Sequence, residues 1–117
     1  MKTFNRIHKN VFVLNEVTLL ESNPRLGQCY ELAGRYVTDH PDSVLVHGKL
    51  VNRFSKGFPE IEHAWVEEGD EIFDPVMDRR FSKDLYEQLF NVTVYHKYTF
   101  EEVLKMTLRH KHWGPWK

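Results

Sequence analysis

The 117 residues hold a single cysteine, Cys29. An internal disulfide is therefore impossible and a cysteine-rich zinc site is excluded. Charge of one sign is missing too: 16 Lys and Arg stand against 17 Asp and Glu, a formal charge of -1. That argues against a general polyanion grip and makes nucleic acid an unexpected partner. No apolar run approaches the roughly 18 residues a membrane-spanning helix needs, so no membrane partner is expected. The first eight residues lack the apolar stretch of a secretory signal, which points to a reduced, cytoplasmic setting. No repeat, low-complexity tract, Gly/Ser linker or Gly-rich phosphate loop occurs, so nucleotide hydrolysis is not indicated.

What is present suits a packed fold. The chain is 41% apolar and 14% aromatic, and its length predicts one domain over residues 1–117. Val11 to Leu14, then Val17, Leu19 and Leu20, predict a short strand or extended segment, with a turn at 21–24. Residues 27–38 predict a helix, because Cys29, Leu32, Ala33, Tyr36 and Val37 recur on one face. Glu31 and Arg35 form a favourable pair on its flank, and Pro41 limits its end. The helix starts either near Gly27 or at Pro24 with Asn23 as cap.

Strands are predicted over 43–51, 61–68, 71–74 and 92–98, with a loop over 52–60 and a tight turn near Gly69-Asp70. A short helix is predicted over 81–90, with Leu85 and Leu89 at i, i+4 spacing and Ser82 as cap. Thr99 and Glu102 have capping-box spacing and open a last helix to about His110, followed by a Trp-bearing tail, so that 99–117 forms the C-terminal part. One helix, then mainly antiparallel strands, then late helices, is the order of an α+β fold.

Cys29, His63 and Asp74 stand out as a set. Thiol acyl transfer needs a thiolate, an imidazole to activate it and a third group to orient the ring. A cysteine in the first turn of a helix suits the first role, since free N–H groups and the helix dipole favour the thiolate. The hairpin decides the other two. If Glu68-Gly69 is the two-residue turn, His63 lies directly opposite Asp74, roughly 5 Å away between Cβ atoms. If Gly69-Asp70 is the turn, Asp74 opposes Trp65 and is a diagonal neighbour of His63 on the same face. A three-residue turn reverses the facing unless a bulge restores it. Ala64, Val66 and Phe73 then point to the other face. Singly, each residue has a structural reading: a small buried thiol, an ordinary strand histidine, a turn Asp before Pro75. The combination favours a site.

Gly27-Gln28-Cys29-Tyr30-Glu31-Leu32-Ala33, Val44-Leu45-Val46-His47-Gly48, His63-Ala64-Trp65-Val66-Glu67 and Phe73-Asp74-Pro75 together resemble the core of transglutaminase-like cysteine proteins, in the wider papain-like superfamily. The resemblance spans about residues 27–76. It implies a Cys-bearing helix packed on a small antiparallel sheet, with Cys29 as nucleophile, His63 as general base and acid, and Asp74 orienting His63. It implies no cofactor and a protein or peptide substrate. The wider group includes peptidases, amidases, deamidases and acyltransferases, and members that have lost activity. The interval from His63 to Asp74 is shorter than is common in the family, and the calcium-binding and β-sandwich additions of large transglutaminases have no room here. Both argue against protein crosslinking.

The backbone N–H of Cys29 and the side chain of Gln28 are oxyanion candidates; Gln28 can equally be a surface residue. Trp65 either shields the His63–Asp74 pair, lines a substrate groove or packs in the core. His47 reads as structural or exposed. His110 and His112 are badly spaced for one metal, and no metal site is expected. The tail with Trp113 and Trp116 either folds back on the domain or docks on a partner. Arg79, Arg80 and the acidic group Glu67, Glu68, Asp70 and Glu71 read as solvated surface. The alternative function is a non-catalytic binding domain with a vestigial triad.

Overall fold

Stretches rich in β-branched and aromatic residues, punctuated by turns, build the sheet at the centre of the molecule. The computed structural model describes residues 27–51 and 60–116. The segment and turn expected within 1–26, the loop at 52–59 and Lys117 lie outside the described residues. Helix α1 (Cys29–Asp39) leads into strands β1 (Val44–Val51), β2 (Glu60–Glu68), β3 (Glu71–Asp74) and β4 (Arg79–Ser82). Helix α2 (Lys83–Phe90), strand β5 (Thr93–Tyr98) and helix α3 (Phe100–His110) follow. The strands form one sheet in the order β4-β3-β2-β1-β5, each pair antiparallel. This is a small α+β domain of five strands and three helices among the described residues.

β1 is an interior strand between β2 and β5, and Leu45, Val46, His47 and Gly48 are all buried. A strand covered on both faces loses simple alternation, as its sequence shows. The two faces carry different helices. Ala64, Val66 and Phe73 share one face through the Val66–Phe73 pairing, and Tyr36 of α1 packs on Phe73 there, ring centroids 4.7 Å apart. His63, Trp65 and Asp74 alternate onto the other face. Tyr86 of α2 covers that side, 5.7 Å from the Trp65 ring and 5.1 Å from Phe81.

Two elements differ from the sequence reading. Residues 79–82 form strand β4 rather than the start of a helix, pairing Asp74 with Arg79 and Ile72 with Phe81. α2 begins only at Lys83, where Ser82 caps it by accepting from the Leu85 N–H at 3.2 Å. Its inward face is Tyr86, Leu89 and Phe90, and Leu85 is 42% exposed. The later start lets Phe81 join the core from the sheet.

Arg80 and the hairpin acids Glu67 and Glu68 are paired, although Arg80 lies at the surface. Its guanidinium donates to Glu68 at 2.6 Å and to the Tyr36 hydroxyl at 2.8 Å, tying β4 and β2 to α1. Glu67 holds Lys97 at 3.0 Å.

The capping box at α3 is formed as the sequence predicts: Thr99 Oγ1 accepts from the Glu102 N–H, and Glu102 Oε1 accepts from the Thr99 N–H. Beyond α3 the tail returns to the domain. Trp113 lies so close over Gly34 that an added Cβ would stand 2.6 Å from its ring. Trp116 is buried 5.3 Å from the His47 ring and 5.0 Å from Tyr98. Among the described residues no helix is long and apolar enough to cross a membrane.

Gly48 allows β1 to bulge against β5 between His47 and Gly48. A Cβ there would collide with the carbonyl oxygen of Thr93 and come within 2.8 Å of the Trp65 ring. Backbone cannot yield as a side-chain tip can. Gly48→Ala is therefore expected to cost about 1–3 kcal/mol. Thr99→Ala, which loses one cap, is expected to cost about 1 kcal/mol. Urea unfolding of both variants checks these values; a neutral Gly48→Ala contradicts the packing described.

Candidate active site

The site draws on three elements: α1 carries Cys29, β2 carries His63 and β3 carries Asp74. A short 3-10 turn at 27–28 precedes α1, so Cys29 occupies its first helical position. The α-helix begins beside Gly27, as the later of the two possible starts expects, and residues 23–24 of the other start lie outside the described residues. The positive end of the helix dipole lies at this turn. Gln28 is exposed and its side chain makes no cap hydrogen bond. The Cys29 thiol is free and only 2% exposed.

The hairpin chooses between the two registers. Val66 pairs with Phe73 and Glu68 with Glu71, which makes Gly69-Asp70 the turn. Gly69 has φ 61, the left-handed conformation that primed hairpin turns need and glycine adopts without strain. Asp74 thus falls level with Trp65 and diagonal to His63. The diagonal is short enough for a direct bond: His63 Nε2–H donates to Asp74 Oδ2 at 2.8 Å. Both side chains have zero exposure.

Asp74 is fully engaged. Oδ1 accepts from the backbone N–H groups of Val76 at 3.0 Å and Met77 at 3.3 Å. Oδ2 accepts from His63 and also from the Tyr86 hydroxyl at 2.8 Å. A buried carboxylate needs such donors to remain ionised. Burial would push Asp74 up, but the His63 charge, hydrogen bonds from His63 and Tyr86 and the Met77 amide hold it below its usual range. For His63, burial works towards the neutral ring. The Asp74 charge and hydrogen bond, joined by the Cys29 thiol, overcome it and raise His63 to about 9.

The other ring nitrogen, Nδ1, is buried without a hydrogen bond of standard geometry among the described residues. The Cys29 thiol is the further group that helps raise His63. The thiol acts on the ring of an imidazole–carboxylate pair that lies sealed in the core. Trp65 is buried, with its ring 6.1 Å from the His63 ring and near-parallel to it. It shields the pair rather than lining an open groove.

Tyr86 is the site residue that the sequence reading missed. The spacing of Tyr86, Leu89 and Phe90 at i, i+3 and i+4 is the signal that marks it as inward. His47 lies elsewhere, caged by Tyr30, Tyr98 and Trp116 at 4.8, 4.9 and 5.3 Å between ring centroids. Burial, helped by the His96 charge, pushes His47 down to about 4. Among the described residues no group of three or more His, Cys, Asp or Glu is placed to hold a metal.

Comparison with protein-family models, curated proteins and solved structures found no match to this chain.

The two buried histidines act on stability with opposite signs. His63 is raised from 6.5 to about 9, so its contribution is complete below about pH 6.5 and is lost as pH rises through 9. His47 is lowered from 6.5 to about 4, so its contribution is present above about pH 6.5 and is lost as pH falls towards 4. Denaturant unfolding across pH is expected to show greatest stability around pH 6.5. His47→Gln should flatten the acid limb, and Asp74→Asn the alkaline limb. Slopes unchanged from the parent protein would contradict these assignments.

Proposed function

We propose that this chain is a cysteine-dependent acyl-transfer enzyme of transglutaminase-like or papain-like type, acting on an amide, isopeptide or thioester carbonyl of a protein or peptide. The observation that carries this reading is the buried bond from His63 to Asp74 beside a cysteine at a helix start. A desolvated imidazolium–carboxylate pair seldom improves stability over an apolar pair of the same shape. Perturbed titratable groups of this kind gather at functional sites.

In the proposed cycle Asp74 orients His63 through Nε2 and leaves Nδ1 towards the sulfur. With the proton on His63, Sγ bonds as the thiolate to the substrate carbonyl carbon. First-turn N–H groups, that of Cys29 among them, face the developing oxyanion; Gln28, exposed beside them, is a further donor. The C–N bond breaks, His63 gives its proton to the leaving amine, and a thioester joins the acyl group to Cys29. Water, losing a proton to His63, attacks that thioester; the C–S bond breaks, the acid leaves and the Cys29 thiolate stands again beside protonated His63. Attack by an amine instead gives transfer, and a glutamine side-chain substrate gives deamidation. A cytoplasmic setting suits an unpaired thiol.

A second reading is favoured by the low exposure of Cys29. The same triad would be a core network in a non-catalytic binding domain. Acylation of Cys29 by p-nitrophenyl acetate, followed by mass spectrometry, separates the two. The enzymatic reading expects a stoichiometric acetyl adduct at neutral pH, none with Cys29→Ser, and a rate lower by about 10²-fold or more in folded His63→Asn. A thiol that acylates no faster than N-acetylcysteine, with no effect of His63→Asn, would leave the binding domain.

A further inference from the structure

We propose that Tyr86 is a positioning residue of this site, donating its hydroxyl to Asp74 Oδ2 and so limiting how strongly the carboxylate pulls on the His63 proton. The geometry is specific. Oδ2 receives two donors, His63 Nε2–H and Tyr86 O–H, each at 2.8 Å. The other oxygen is held by two backbone amides, so the carboxylate cannot turn away to relieve the sharing. Tyr86 itself is fixed among rings, with Phe81 at 5.1 Å and Phe90 at 4.8 Å between centroids.

The hydroxyl is a donor here and stays one. Burial, then the neighbouring Asp74 charge, hold Tyr86 well above its ordinary value, so it keeps its proton across the range in which proteins fold. A second donor on one carboxylate oxygen withdraws electron density from the first bond. It makes Asp74 a weaker base towards His63 while leaving it charged. The balance matters for acid–base chemistry, because a ring that holds its proton too firmly is a poor acid in the return step.

The charges that act on His63 are those of Asp74 from β3 and Cys29 from α1. The same two groups act on Tyr86. Trp65, stacked beside the ring, carries no charge. Removal of the Tyr86 hydroxyl should therefore reach His63 through Asp74.

The test is the titration of the His63 ring by NMR in the resting full-length protein. Tyr86→Phe keeps the ring and its packing and is expected to raise the His63 midpoint by about half a pH unit or more. Site-specific 3-fluorotyrosine at position 86 is a stronger donor with every contact retained, and is expected to lower the midpoint. The fluorinated form covers the case in which Tyr86→Phe fails to fold. An unchanged His63 midpoint in the folded variants, or shifts of the opposite sign, would overturn the proposal. The role of Tyr86 in turnover rests on the acyl-transfer reading, but this titration does not. An inert Cys29 together with the expected shifts would sink that reading and leave Tyr86 in its place.

Discussion

One carboxylate organises this molecule. Asp74 ends β3, takes the backbone of Val76 and Met77 at the corner leading to β4, binds His63 of β2 and receives Tyr86 of α2. Four donors on two oxygens are close to what a carboxylate can accept. Loss of any one leaves a buried acceptor short of a partner, and removal of His63 leaves a buried charge unpaired. The hairpin, the corner and α2 are thus fixed relative to one another by a polar centre inside an apolar core. Such centres stabilise a fold only when fully satisfied, and this one is satisfied except at the nitrogen that remains for the thiol.

The two buried histidines show how far surroundings, rather than residue type, set chemistry. His47 and His63 lie on neighbouring strands, and His47 is level with Ala64, the residue after His63. His47 faces rings and loses basicity; His63 faces a carboxylate and gains it. Adjacent positions on one strand pair point to opposite faces, so a single step in register separates an inert core histidine from one that carries charge. The tail reinforces the first environment, since Trp116 closes the cage around His47 while Trp113 holds α1 at Gly34.

Much of this was legible in the sequence, for physical reasons. The helix bearing Cys29, the hairpin, the α3 capping box and the return of the tryptophans all rest on local rules of periodicity, turn chemistry and capping. The hairpin left two registers open, and both brought His63 and Asp74 to the same face. β4 was not legible because Arg79-Arg80-Phe81-Ser82 is a four-residue edge strand with two exposed cations; only pairing with β3 makes it a strand. Tyr86 was hidden by Leu85 and Leu89, which imitate an apolar face until the true helix start rotates Leu85 outward. Burial of the pair was out of reach, since it depends on α2 crossing that face of the sheet.

Burial of His63 and Asp74 does not by itself oppose chemistry. In acyl transfer only the nucleophile must touch the substrate; the ring needs to reach the sulfur and the carboxylate needs to reach the ring. A dry pair gains from its surroundings, because preorganised charge is stronger where water is excluded. The question of access thus falls on Cys29 alone. Its two predecessors, Gly27 and Gln28, are exposed, and among the described residues an added Cβ at Gly27 would meet nothing within 4 Å. The thiol is only 2% exposed, so in the proposed reaction a substrate approaching beside Gly27 would have to uncover the sulfur at the helix start before the dry pair could act on it.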